Sequence, residues 1–462
     1  MAIRAPLIRR VTVPGAALRV LAERQPEAYP VFCDSAAQGP LARFSLLAAA
    51  PAASLTRDSE GRLAANGMEI RAGGFLDNLK SWTSRERTPR VSNDQGLPFV
   101  GGWFVYLGYE TAGEIEPRLR LPAASAPFSA LALRVTLLVV HDLERDAVFV
   151  VSEDGDERAI EALTAQLSEA AKLAPLDSAP LPLASLHEDS PDRFLRQVEA
   201  AKEHIAAGDI YQANLSRGWQ LRLADVTAAP RVYAALRAAN PAPFAARLSW
   251  QGFSILSSSP ERLLRISGRD ISTRPIAGTR ARQVAKEGGS ARQDQLDTAE
   301  LVSHPKERAE HIMLIDLERN DLGRVCEAGS VEVDEYMVTE SYAHVHHIVS
   351  NVRGRLRAEA TAVDALRALF PGGTITGCPK VRCMELIAEL EGGGRGAYTG
   401  SLGWLGTDGD ADFNILIRTL TQRGAELELR AGAGIVADSQ PQRELEETRA
   451  KARGLLRAFI AP

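Results

Sequence analysis

"LRAGAGIVADSQPQRELEETRAK", residues 429–451, reads as a strand, a turn and a helix. Gly432 and Gly434 lie beside the strand, where backbone N–H groups can come close to an oxyanion. The helix carries Glu444 and Glu447 three residues apart, with Lys451 one turn on. That spacing puts side chains on one helical face. "HPKERAEHIML", residues 304–314, repeats the pattern with Glu307 and Glu310 behind Pro305. One such pair by itself reads as a solvated face with ion pairs. Two facing each other would gather carboxylates that repel unless a cation sits between them, and a hard divalent ion such as Mg²⁺ suits oxygen ligands.

Three further stretches point to an anion. "FNILIRTL", residues 413–420, puts Arg418 at the end of an apolar strand, and a buried arginine calls for an anionic partner. "FPGGTITGCPKVRCMELI", residues 370–387, runs a Gly/Thr turn into a helix whose N-terminus is expected to favour a carboxylate or phosphate. "TRPIAGTRAR", residues 273–282, sets arginines beside a Gly-Thr turn, with inert Ala277 at its centre. "HVHHIVS", residues 344–350, holds His344, His346 and His347. No neighbouring cysteine or acid completes a zinc set, so a single catalytic histidine is the better reading. None of these matches a Walker loop or a dinucleotide fingerprint.

The rest of the chain bounds the class. It has 462 residues, 45% hydrophobic and 24% charged, with net charge −5 and no long basic run, which argues against nucleic acid. Cys33, Cys326, Cys378 and Cys383 show neither metal spacing nor a disulfide framework, as expected of a cytoplasmic protein. No signal peptide or membrane span is expected. Residues 1 to about 155 are strand-rich, with a hairpin predicted around Asp142–Asp146 and a polar helix at 157–174. The proline-rich 175–191 stretch is the expected linker. Ser190, Pro191 and Gly208 bracket a helix with an apolar stripe of Phe194, Val198, Ala201 and Ile205. This divides the chain into an N-terminal region, 1–175, and a catalytic region, 190–462.

Taken in order, "GDIYQANLS", "SSSPERLL", "RPIAGTR", "KERAEHIMLIDLERNDLGRV", "VHHIVSNVRG", "FPGGTITGCPKVRCMELI" and "AGAGIVADSQPQRELEET" resemble the chorismate-utilising enzymes. This is the family of the anthranilate synthase and aminodeoxychorismate synthase large components. The resemblance spans roughly residues 190–462; "CDSAAQGPLARFSLLAAAP" and "GGWFVYLGYE" extend it more loosely toward the N-terminus. It implies an α+β fold of antiparallel sheets, helices outside, with intertwined halves. It implies chorismate as substrate and Mg²⁺ as metal, with Glu310 and Glu447 as direct ligands and Glu307 and Glu444 linked through water. Arg418, Tyr398 and the backbone at Gly432 and Gly434 would hold the enolpyruvyl carboxylate. Gly278, Thr279 and Thr374 would line the ring site. Glu261 matches the acid that protonates the departing hydroxyl, although beside Pro260 it fits a surface-loop charge equally. His347 matches the family histidine, and Lys451 a lysine near the metal.

Gln212 separates branches of this family. Isochorismate and salicylate synthases resemble the chain but carry a lysine there as the base that activates water; glutamine cannot take a proton. The resemblance is therefore to members whose nucleophile is ammonia, and nothing in the chain resembles a glutaminase, so a glutamine amidotransferase partner is implied. Ala277 is the residue usual in the anthranilate branch; many aminodeoxychorismate enzymes carry a nucleophilic lysine at that position. "YQANLS", "FPGGTITG" and "DFNILIRTL" resemble the aminodeoxychorismate branch, and "FCDS" stands where the tryptophan-sensing "LLES" would be. The distributed background outweighs the single position. A catalytically inactive chorismate-binding subunit is the third reading, disfavoured by the joint presence of Glu261, Glu310, Glu447 and Arg418.

Overall fold

The computed structural model describes residues 5–37, 39, 41–90, 93–281, 305–341 and 345–461. For residues 277, 279–281, 305–307, 341 and 345 the description covers the backbone alone.

Alternating apolar residues build two large sheets, of 13 and 11 strands among the described residues. Each takes strands from both ends of the chain. In the larger, Val31–Asp34 pairs with Phe244–Trp250; in the smaller, Gly102–Leu107 pairs with Ser401–Gly406. Pairing is antiparallel apart from Leu181–Glu188 beside Phe459–Ile460. Val31, Leu46, Phe104, Leu131, Ile255 and Leu402 form a core made of strand residues from both sheets. Helices cover the outer faces. Leu18, Ile160, Leu163 and Leu236 pack on the larger sheet, and Phe75, Leu79, Leu366 and Met384 on the smaller. The result is an α+β fold of antiparallel sheets with its halves intertwined.

The predicted hairpin forms from Leu137–Asp142 and Ala147–Ser152. The Pro191–Ala206 helix starts at Ser190, whose hydroxyl accepts from Arg193 N, and it buries Phe194, Val198 and Ala201. One expectation changes. The proline-rich stretch contains a strand, Leu181–Glu188, in which Leu183 and Leu186 lie opposite Leu223 and Leu221. After the last helix, Pro441–Leu456, the short strand Phe459–Ile460 pairs with Leu181–Glu188 as well. All four cysteines are free thiols, and no described helix is long and apolar enough to cross a membrane.

Candidate active site

Several short segments carry the chain between the sheets, and two of them meet at the site. Residues 260–261 leave Phe253–Ser259 of the larger sheet for Arg262–Ser267 of the smaller; residues 415–418 return from Ala411–Asn414 to Thr419–Arg423. They run side by side, with Ile415 N donating to Glu261 O at 3.0 Å and Ser258 N to Arg418 O at 3.0 Å. Glu261 and Arg418 are thereby held at the seam between the sheets.

Glu261 is 6% exposed, which removes the surface-loop reading. Burial pushes its carboxyl up to about 7, against the hydrogen bond from Thr374 Oγ1 (2.7 Å) and the charges of Lys451 and Arg418. Near neutral pH it can therefore hold and give a proton. Arg418 does not end a strand as expected. It sits in the crossover with φ +51, a strained conformation for a long side chain. Its guanidinium makes no hydrogen bond or ion pair to a side chain among the described residues. A half-buried guanidinium left open in this way is ready for an external carboxylate.

His347 lies opposite Thr279 on one neighbouring strand and Glu340 on the other. Burial, helped by the Arg418 charge, lowers its imidazole to about 4, so the ring is neutral. The ring is hydrogen-bonded to the Gly278 backbone. Gly278 has φ +68 at a bulge between Ala277 and Thr279, a conformation that suits glycine. The side chains of Ala277 and Thr279 lie outside the described residues.

The floor is the pairing of Gln212–Leu223 with Glu426–Ile435, in which Asn214 opposes Gly434 and Ser216 opposes Gly432. Ala213, Leu215, Ala433 and Ile435 pack outward among helices, so Gln212, Asn214 and the two glycines face the other way. A Cβ at position 432 would sit 2.6 Å from both Asn214 Oδ1 and Tyr398 OH, and one at 434 would sit 2.7 Å from Gln212 Nε2. Only glycine leaves the floor open.

Beneath it lies an ion network. Arg395 Nη2 donates to Glu391 Oε1 and to Asn214 O, both at 2.6 Å; Arg395 Nη1 donates to Ile375 O at 3.2 Å. Its guanidinium lies 4.9 Å from the Tyr109 ring centre and 5.5 Å from that of Tyr398. Arg430 Nη2 reaches Glu391 Oε2 at 2.8 Å. Burial raises the Glu391 carboxyl, but the charges of Arg395 and Arg430 outweigh it and keep it ionised.

Of the carboxylates expected to bind metal, Glu444 is buried, Glu310 half-buried and Glu447 exposed. Lys451 Nζ lies 2.8 Å from Glu447 Oε1 and donates to Gly432 O at 2.8 Å, joining that helix to the floor. The Glu307 side chain lies outside the described residues, among which no group of three or more His, Cys, Asp or Glu is assembled for a metal. The donor set, all carboxylate oxygen, fits a hard cation. His344 also lies outside; His346 and His347 are buried.

At the start of the Lys380–Glu391 helix, Lys380 Nζ pairs with Asp321 and donates to Leu369 O. Glu318 lies close by, its carboxyl raised by burial and by the Asp321 charge, and bonded to Thr273. Asn214, Arg395, Glu391 and Glu318 were not among the expected site residues. For Asn214 the signal was the polar-apolar alternation of "QANLS"; for the buried ion pairs, Glu391 and Arg395 four apart resemble any helical surface pair.

The chorismate binding enzyme model matches residues 29–457. An anthranilate synthase component I-like protein of Synechocystis sp. is 43% identical over 79% of this chain and 73% of its own. The aminodeoxychorismate synthase component 1 of Bacillus subtilis is 40% identical over 83% of this chain and 82% of its own. The crystal structure of anthranilate synthase component I from Streptococcus pneumoniae superimposes with TM-score 0.77 at 33% identity, covering 90% of this chain and 92% of that one. With its acid and arginine at the seam and its glycine floor, the chain belongs to the chorismate binding enzyme family.

Proposed function

We propose that the chain is an aminodeoxychorismate synthase component I, converting chorismate and ammonia to 4-amino-4-deoxychorismate for 4-aminobenzoate and folate synthesis. The observation that carries this choice is Asn214. Its amide lies on the site floor, where the anthranilate branch typically carries valine in "FQVVLS". Asp34 of "FCDS" supports it, since its carboxylate is taken up by Arg237 Nε at 2.5 Å and Tyr233 OH at 3.3 Å.

In this reading Arg418, Tyr398 and the backbone at Gly432 and Gly434 hold the enolpyruvyl carboxylate, and Gly278, Thr279 and Thr374 line the ring. Glu310 and Glu447 would hold Mg²⁺ directly, Glu307 and Glu444 through water, with Lys451 beside them. When bound, the ion offsets the charge of the substrate carboxylate. Ammonia adds through its lone pair at C2. The C1–C2 π pair moves to C1–C6, the C5–C6 pair to C4–C5, and the C4–O bond breaks. Glu261 gives its proton to the leaving oxygen, and the new C2 ammonium loses one to solvent. Chorismate and ammonia thus become 2-amino-2-deoxyisochorismate and water. A second ammonia then attacks C4, the C4–C5 π pair moves to C5–C6, the C1–C6 pair to C1–C2, and the C2–N bond breaks; the amine leaves as ammonia with one proton gained while the new C4 ammonium loses one. With Ala277 in place of a lysine, this intermediate stays noncovalent. A glutamine amidotransferase subunit supplies the ammonia.

Ala277 favours a second reading, anthranilate synthase component I in tryptophan synthesis. Chorismate, Mg²⁺ and an ammonium salt separate the two. A product converted to 4-aminobenzoate by the matching lyase is expected; fluorescent anthranilate overturns the choice. Mass spectrometry of the quenched enzyme is expected to find no lysyl adduct.

A further inference from the structure

His311 follows Glu310 on the Pro305–Gly323 helix and is wholly buried, as is Ser350 on the Val345–Arg355 strand. The ring Nε2 lies 2.6 Å from Ser350 Oγ, and that oxygen also accepts from Met337 N at 2.9 Å. A bulge frees Met337 N for this. Between the pairs Glu335–Asn351 and Val338–Val349, Tyr336 and Met337 together face Ser350, and Met337 takes φ +51. One hydroxyl therefore ties the helix to two strands, one of which carries His347. The other ring nitrogen, Nδ1, is buried with no hydrogen-bond partner among the described residues. A leucine would fill the place without that cost, so what the ring adds is a directed contact.

Direction matters most at this end of the helix. Leu314 and Ile315 pack by apolar contact, which is non-directional. Glu318 and Asp321 are fixed by Thr273 and Lys380, but about two and three turns further on. Arg308 and Ala309 are exposed and Glu310 is half-buried, so among the described residues His311 is the outermost buried point beside that carboxylate. With this end released, a roll of only ~20° carries a carboxylate ~6 Å from the helix axis through ~2 Å. Mg²⁺ demands near-ideal octahedral geometry at about 2.1 Å, and such a shift breaks it.

We propose that His311 is a positioning residue, which through Ser350 stops the helix end from rolling and so sets the affinity of the site for Mg²⁺. The inference rests on the reading that Glu310 holds the ion. Calorimetric titration with MgCl₂ tests it, with chorismate present and ammonium absent so that nothing turns over. His311→Leu removes the bond and keeps the place filled, Ser350→Ala removes it from the other side, and His311→Gln still reaches Ser350. His311→Leu and Ser350→Ala are each expected to bind Mg²⁺ at least ~10-fold more weakly, as loss of a group that orients a metal ligand does. His311→Gln should stay within about 3-fold of wild type, and the double variant should bind no more weakly than the weaker single one. If His311→Leu melts lower yet binds Mg²⁺ as wild type does, or if His311→Gln is as weak as His311→Leu, the proposal is overturned. Should His311→Leu not fold, Ser350→Ala decides alone, and an unchanged affinity there is equally fatal. A wild-type enzyme that binds no Mg²⁺ and turns over undiminished in EDTA would instead sink the metal reading itself, before any variant is made.

Discussion

Glu261 is an acid whose proton is held by burial, and that has two measurable consequences. Its carboxyl titrates at about 7, so the proton-donating form is lost as pH rises through that value. Turnover should fall along a limb near pH 7, and Glu261→Gln should remove the limb together with roughly 10²–10⁴ of the rate. The folded value lies above the ordinary 4.5, so the folded state binds the proton more tightly than the unfolded chain. Stability is then lost as pH rises from about 4.5 through about 7, by about 3 kcal/mol in all. Glu261→Gln should melt above wild type at pH 8 and level with it at pH 4, checked by thermal denaturation at both. The motif made Glu261 readable from sequence, but not its burial, since Pro260 beside a charge also fits a surface loop. The positive φ of Arg418 left no trace either, because nothing in "FNILIRTL" marks the point where the chain changes sheets.

At the scale of elements, Arg395 ties three of them together. It joins the end of the Lys380–Glu391 helix through Glu391, the Gly373–Ile375 turn through Ile375 O, and the floor strand through Asn214 O. That turn carries Thr374, the partner of Glu261, and that strand carries Asn214. A lysine can keep the charge but cannot spread it over three acceptors in one plane. Arg395→Lys should therefore cost roughly 2–3 kcal/mol of stability in a urea titration, with Glu391 still held by Arg430. Elements with local signals were legible, and the Ser190-capped helix begins where its hydroxyl and Pro191 place it. The strand Leu181–Glu188 was not. Its prolines read as linker, while its reason for existing lies in distant partners, Leu221, Leu223 and Phe459.

At the scale of the whole molecule, a composition break suggested two regions, 1–175 and 190–462, yet the strands interleave. Removing residues 1–175 would strip Val31–Asp34 from Phe244–Trp250 and Gly102–Leu107 from Ser401–Gly406, opening an edge in each sheet. It would also take Val31, Leu46, Phe104 and Leu131 from the core between the sheets, leaving Ile255 and Leu402 uncovered. Bare strand edges beside uncovered apolar faces drive aggregation. The 176–462 fragment alone should therefore aggregate on size-exclusion chromatography and show no cooperative melt. Co-expressed with 1–175 it should elute as one species, because the same pairings form without a covalent link. Glu261 and Arg418 owe their meeting to crossovers between these two sheets, so chorismate turnover should return only in the reassembled pair. A fragment 176–462 that melts cooperatively and turns over chorismate by itself would show that the interleaved strands are dispensable to the site.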